Sequence, residues 1–205
     1  MKLYNLEQSY NSRKVRATIH ELGLDVEIIH PNVMQGEHKK PEMLLKNPNA
    51  KLPILEDGDF ILWESHAIMS YLVAKAGDSN LSPKNIQHKA EINKWLFWDS
   101  CNLNQSISTL TFELVLKKYF SLGNPDQAKV EKTLETLKSQ LKVLDSQLEN
   151  KDYIADSLSI ADFSLASDLA MRNLIGLDIN NYPNVKSWLE KVESLDSWKK
   201  SESNK

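Results

Sequence analysis

The sequence predicts two domains of different class: a small α/β domain with a four-stranded mixed sheet over residues 1–77, and an all-helical domain over 86–205. Three observations point there. Up to Gly77, short apolar runs alternate with segments of helical periodicity. Beyond it the strand signals stop and apolar residues recur only at helical spacing. Between the two, residues 78–85 (DSNLSPKN) are polar, contain a proline and read as a linker.

Taken in order, Lys2 to Leu6 forms a first short strand, with Leu3 and Leu6 apolar and Tyr4 between them. After the polar turn Glu7 to Asn11, Val15, Ile19 and Leu22 fall on one helical face, and Gly23 supplies the C-terminal cap. Val26 to His30 is a second strand, stopped by Pro31. The polar stretch GEHKKPEMLLKNPN holds one short helix, begun at Pro41. Two apolar runs follow, Lys51 to Leu55 and Phe60 to Trp63, and the turn signal Glu56-Asp57-Gly58-Asp59 between them makes a hairpin. From Ser65, apolar residues at Ile68, Tyr71, Leu72 and Ala76 mark an amphipathic helix ending at Gly77. The first two strands flank a helix and are expected to be parallel, the last two antiparallel.

In the second domain, residues 86–120 read as one long helix. Val130, Leu134, Leu137, Leu141, Leu144 and Leu148 alternate spacings of four and three, the pattern of a three-heptad helix. Ser159-Ile160-Ala161-Asp162 has the form of a capping box, and a final helix, Val185 to Ser194, follows Tyr182-Pro183.

Composition narrows the function. Of 205 residues, 41% are hydrophobic, enough for a packed core, so whole-chain disorder is excluded. A net charge of -3 provides no basic field for nucleic acid or an anionic membrane. The single cysteine, Cys101, makes neither an internal disulfide nor a four-cysteine metal site. No transmembrane run and no apolar signal core are seen, so a cytoplasmic protein is expected.

Several positions carry chemistry. Ser9, Asn11 and Ser12 lie at the start of the first predicted helix, where a hydroxyl or amide either caps the helix or donates to a bound anion. Arg13, Lys14 and Arg16 follow, and read as a solvated face or as cations that raise the potential felt by that anion. Pro53 interrupts a strand pattern, which places it at an edge or in a special turn. Glu64-Ser65 opens a helix, with a hydroxyl for a carboxylate and an acid for an ammonium; equally, Ser65 is an ordinary N-cap. Cys101 reads as core or interface packing, His66 as cover for a helix surface, and Trp95 and Trp98 as core.

Together the segments SYNSRKV, GEHKKPEML, NPNAKLPILEDGDF and WESHAIMSYL, then SIADFSLA and YPNVKSWLEKV, make the chain resemble the cytosolic glutathione transferases. It is most similar to the serine-type bacterial, theta and phi members, in order and spacing along nearly the whole chain. The resemblance implies a thioredoxin-like first domain that binds glutathione and a helical second domain that holds an electrophilic small molecule. Glutathione is then a co-substrate whose thiol is ionised, and no metal is required. The family's thiol-activating serine matches Ser9, and Asn11 matches an asparagine that some bacterial members use instead. Leu52, ahead of a cis Pro53, would pair its backbone with the glutathione peptide. Glu64 and Ser65 would meet the ammonium and carboxylate of the γ-glutamyl end. His38, Lys39 and Lys51 would meet the glycyl carboxylate and the mid-peptide carbonyl, although GEHKK also reads as a mobile solvated loop. No cysteine follows the first strand, and Tyr4 sits inside it, so the cysteine-type and tyrosine-type patterns are departed from. The alternatives are peroxide reduction, dehalogenation or disulfide reduction at the same site, or a non-catalytic interaction module of this fold. The heptad helix and the long helix from Ile86 offer more apolar stripe than one small domain needs, and the family implies a homodimer. Asp99 would then face the ammonium of glutathione bound to the second subunit.

Overall fold

Leu3, fully buried in the middle of β1 (Lys2–Tyr4), is the residue around which the sheet is built. In the computed structural model, which describes residues 1–202, β1 pairs in parallel with β2 (Glu27–Ile29) and antiparallel with β3 (Ile54–Asp57). β3 pairs antiparallel with β4 (Phe60–Trp63), giving the order β2-β1-β3-β4, the mixed sheet expected from the sequence. The hairpin turn is the two-residue loop Gly58-Asp59, with Gly58 at φ +60°.

The crossover from β1 to β2 is α1 (Tyr10–Glu21). It ends with the Gly23 N–H on the His20 carbonyl at 3.3 Å and the Leu24 N–H on the Ile19 carbonyl at 3.1 Å, a Schellman arrangement that needs the positive φ of Gly23. A short α2 (Pro41–Lys46) precedes β3, and α3 (Ser65–Ala76) follows β4 and packs on α1. Val15, Ile19, Ile68, Met69 and Leu72 are buried in this layer. The third strand starts at Ile54, not at Lys51: the Leu52-Pro53 peptide bond is cis, and the ladder begins only after it.

The described residues divide into two compact units: Met1–Ser82 with the segment from Leu195 onward, and Pro83–Ser194. The expected helical domain therefore ends at Ser194 as a packing unit, and its last three residues, 203–205, lie outside the described residues. The second unit contains α4 (Ile86–Trp98), α5 (Asn104–Thr111) and α6 (Lys117–Tyr119). The long helix expected over 86–120 is this run, but with two π-helical turns in it, Asp99–Leu103 and Phe112–Leu116. Glu113, in the second π turn, accepts the Asp126 N–H at 3.0 Å and the ammoniums of Lys117 and Lys129. Those contacts hold its carboxyl at about 2, well below the usual range.

α7 (Gln127–Gln147) is the heptad helix, α8 (Ile160–Leu169) the buried central one, and α9 (Pro183–Ser194) the expected final helix. Val130, Leu137, Leu141, Leu144 and Leu148 are buried within the chain and Leu134 is half-buried, so most of the stripe that suggested a surplus apolar face is internal core. Asp145 on α7 caps α9, accepting the Asn184 and Val185 N–H groups at 2.8 and 3.0 Å.

The capping box at α8 is present. The Asp162 carboxylate accepts from the Ser159 N–H at 2.9 Å and hydroxyl at 3.0 Å, from the Ile154 N–H at 2.9 Å, and from the Trp188 indole at 2.9 Å. Its complete burial pushes its carboxyl up to about 6. A helix absent from the sequence reading, α10 (Asp196–Lys200), follows α9 and packs on α1. Among the described residues, no helix is long and apolar enough to cross a membrane.

Candidate active site

The sheet register brings the chemistry-bearing segments together. Tyr4, Ile54 and Trp63 stand side by side at one end of three adjacent strands. At that end β1 runs out into the Asn5–Ser9 turn and α1, the Leu52-Pro53 bond leads into β3, and β4 runs out into Glu64 and α3.

Ser9 is the N-cap of α1, with extended backbone at φ −80° and ψ 123°. Its hydroxyl oxygen accepts the Ser12 N–H at a long 3.4 Å, and its own proton has no acceptor among the described residues. The half-buried Asn11 amide also makes no hydrogen bond there. Ser12 is not available: fully buried, it accepts the Leu6 N–H at 3.2 Å and closes the turn.

Leu52 is half-buried, and its N–H and C=O have no partner among the described residues. The loop before it is shaped by Asn47, which the sequence reading did not single out. Asn47 is 3% exposed; its amide donates to the Lys51 carbonyl at 2.8 Å, and its oxygen accepts the Asn49 N–H at 3.0 Å. The Asn-Pro-Asn sequence is its only local signal.

Glu64, not Ser65, occupies the N-cap position of α3. Ser65 is the first helical residue, no side chain caps this helix, and the Ser65 N–H and hydroxyl stay open among the described residues. Glu64 itself has φ +73° and ψ 113°, a backbone that non-glycine residues rarely adopt. Its exposed carboxylate has no partner among the described residues. An uncapped helix start with an adjacent free carboxylate suits a ligand that carries an anion and a cation close together.

The GEHKK segment is a folded turn. Gly36 takes φ +75°, Glu37–Lys39 form one helical turn, and the Glu37 carboxylate accepts the Asn32 N–H at 2.7 Å and the Lys40 ammonium at 3.1 Å. Lys39 and Lys51 are exposed and His38 is half-buried. Burial of the imidazole, and secondarily the Lys39 charge, lower the His38 pKa below its ordinary value.

Other expectations are corrected. Lys14 and Arg16 are buried, so no solvated face exists there. The Lys14 ammonium lies 3.3 Å from the His66 ring, which places His66 against α1 instead of over a helix surface. Arg16 donates to Asn5, Glu7 and Ser201 oxygens. Cys101 is exposed. Asp99 is fully buried and accepts the Ser164 hydroxyl at 2.6 Å, so its carboxylate faces no second subunit. Tyr4 donates its hydroxyl to Glu56 at 3.0 Å, under the Lys46 ammonium, and is committed there. Trp95 is buried and packs edge-on against Trp98, ring centroids 5.2 Å apart. Among the described residues, no three His, Cys, Asp or Glu side chains gather as a metal cluster.

Comparison with known proteins gives a consistent picture. The family described as "Glutathione S-transferase, N-terminal domain" matches residues 1–74, and "Glutathione S-transferase, C-terminal domain" matches 103–196. A probable glutathione S-transferase GSTF2 of Oryza sativa subsp. japonica is 32% identical over 191 residues, covering 92% of this chain and 89% of its own. Glutathione transferase F7 from Populus trichocarpa superposes with a TM-score of 0.88 at 30% identity, over 98% of this chain and 96% of that one. A maize glutathione S-transferase I, solved with an atrazine glutathione conjugate, gives a TM-score of 0.88 at 30% identity, over 98% and 95%.

Proposed function

The chain belongs to the glutathione S-transferase family, and from that premise we propose that the end of the sheet carrying Ser9, Leu52 and Glu64-Ser65 binds glutathione and ionises its thiol. As a glutathione transferase, the protein activates the glutathione thiolate for attack on an electrophilic small molecule. One observation carries the site: uncommitted polar groups from three separate segments lie at one sheet end, namely the Ser9 proton, the Leu52 backbone and the uncapped start of α3. Together they suit a short zwitterionic peptide thiol. The Leu52 N–H and C=O would pair with its backbone as one added strand residue. The Ser65 hydroxyl and the first N–H groups of α3 would take the γ-glutamyl carboxylate, and Glu64 the ammonium beside it. His38, Lys39 and Lys51 would receive the glycyl end.

The chemistry requires one proton to leave sulfur. A free thiol has a pKa of about 8.5, and lowering it by two units costs about 2.7 kcal/mol of differential stabilisation. A hydrogen bond to a charged acceptor supplies about 1.5–3 kcal/mol. The Ser9 hydroxyl at the helix start, or the Asn11 amide, is therefore sufficient. The thiolate then forms a carbon–sulfur bond with the acceptor, whose leaving group departs with the electron pair. The Phe112, Leu116, Tyr119, Phe120 and Leu122 side chains are exposed on the second unit, an apolar face that supports apolar acceptors.

A homodimer in the cytoplasm completes the reading. Its support is the family together with exposed Ile86, Phe97 and Val143 on the second unit and a groove of about 620 Å³ there lined by Trp95, Trp98 and Val143. Retention on immobilised glutathione, with elution by free glutathione, tests the site. A protein that passes straight through contradicts it.

A further inference from the structure

Arg16 joins the end of the chain to the turn that carries Ser9. The side chain is 5% exposed, and no carboxylate lies within ion-pair distance of it among the described residues. All of its acceptors among the described residues are neutral oxygens. It donates to the Asn5 side-chain oxygen at 2.7 Å, to the Glu7 carbonyl at 3.1 Å, and through two nitrogens to the Ser201 carbonyl at 3.1 and 2.8 Å. Asn5, 1% exposed, in turn donates to the Glu7 carboxylate at 2.9 Å, and its N–H is held by the Ile29 carbonyl at 2.8 Å.

The turn from Asn5 to Ser9 is thus held along its first three residues, Asn5 and Glu7 by Arg16 and Leu6 by Ser12 and Ser9, the last bond tying the Ser9 N–H to Leu6. Only a planar fork of donors reaches acceptors on both sides at once. The far side of the fork is set by α10. Its last turn presents the Ser201 carbonyl, and a cation is favoured at that end of a helix. α10 is itself pinned to α1 by the Arg13 guanidinium over the Trp198 ring, 4.1 Å from its centroid, and by Arg13 donating to the Ser201 hydroxyl at 3.4 Å.

We propose that Arg16, anchored on the Ser201 carbonyl, is a positioning residue for thiol activation, so that the segment from Leu195 to Ser201 is a working part of the glutathione site. This rests on Ser9 as the activating donor. The Ser9 hydroxyl is half-exposed and weakly tied to its own helix, so its aim depends on the turn beneath it. A small error in that aim costs activation steeply, because catalytic geometry tolerates little displacement.

The test is the titration of glutathione bound to wild type, Arg16→Leu and Trp198→Ala, read by thiolate absorbance against pH, with the dissociation constant measured alongside. The expected result is a bound-thiol pKa about one unit higher in Arg16→Leu, a tenfold lower thiolate-to-thiol ratio and about a threefold loss of thiolate at neutral pH. The dissociation constant measured at about pH 5.5, where the bound thiol keeps its proton in both proteins, should change less than about threefold, because Leu52 and the start of α3 are untouched. Trp198→Ala leaves Arg16 in place and frees its anchor; a rise of about half a unit is expected. If Arg16→Leu does not fold, Trp198→Ala carries the test alone. Folded variants with a lowered Tm and a wild-type thiol pKa overturn the inference and leave the Ser9 reading standing. An unshifted thiol in wild-type protein overturns both.

Discussion

Ser9→Ala separates the two roles that one hydroxyl plays at the start of α1. As an acceptor, Ser9 caps the helix through a Ser12 N–H at 3.4 Å, the long end of a hydrogen bond. Loss of an N-cap costs about 0.5–2 kcal/mol, and the length of this bond argues for the low end. The Ser12 N–H also bonds the Ser9 main-chain carbonyl at 3.1 Å, which the substitution leaves in place. The Tm should therefore fall only slightly. As a donor, the same hydroxyl has no acceptor among the described residues and acquires one when a thiolate arrives. Removing a hydrogen bond to a charged acceptor costs about 1.5–3 kcal/mol, which is about a 10- to 150-fold loss in kcat/KM. Because the bond strengthens with thiolate charge, the loss should appear in turnover more than in glutathione affinity. The assay is conjugation of glutathione to a chromogenic electrophile across pH 5.5–9, with the midpoint of the kcat/KM profile moving up by about one to two units. A loss under about threefold with an unmoved midpoint would refute donation by Ser9. If Asn11→Ala then shows the large loss, the Asn11 amide is the donor.

Further outcomes follow from the other groups. Glu64→Gly should weaken glutathione binding while leaving the Tm unchanged or higher, because it relieves a positive-φ residue that costs about 1–3 kcal/mol; calorimetry of binding and of unfolding reads both. His38 is held below its ordinary pKa by burial, and a bound carboxylate favours its charged form. Affinity for S-methylglutathione, whose sulfur does not titrate, should therefore rise as pH falls from 7.5 to about 5.5, and His38→Asn should flatten that slope. Asp162→Asn replaces a four-donor acceptor in the core and should destabilise the protein by about 2–4 kcal/mol in denaturant titrations. Its carboxyl is pushed up to about 6, above its unfolded value. Its proton-linked contribution is therefore full below about pH 4, lost as pH rises through about 6 and constant above, and the variant should lack that fall. Glu113, held at about 2, acts with the opposite sign: its contribution is present above its unfolded value and lost as pH falls toward 2.

The sheet, and the segments that carry the candidate site, were legible because each element carried its own local signal. The hairpin turn, the proline inside a strand pattern and the Glu-Ser pair before a helix are all short-range features. What burial decides was not legible. Arg13, Lys14 and Arg16 look like a solvated face, since nothing nearby in sequence shows that Ser201 lies 185 positions away against the same helix. α10 is too short to show periodicity. The π turns at Asp99–Leu103 and Phe112–Leu116 each add a residue to the helical phase, which is invisible where apolar residues occupy several faces. The heptad pattern of α7 was read correctly as a helix and wrongly as a surplus surface, because periodicity locates a face without saying what covers it. Ser65 was assigned the cap that Glu64 occupies. The difference matters, since it leaves the Ser65 hydroxyl and the start of α3 open for a ligand.

Thiol activation is tested most directly by the pH titration of thiolate absorbance for glutathione bound to the unmodified protein. The expected midpoint is near 6.5, about two units below the free thiol, together with saturable binding of one glutathione per chain. Bound glutathione that titrates near 8.5, like the free thiol, would contradict it.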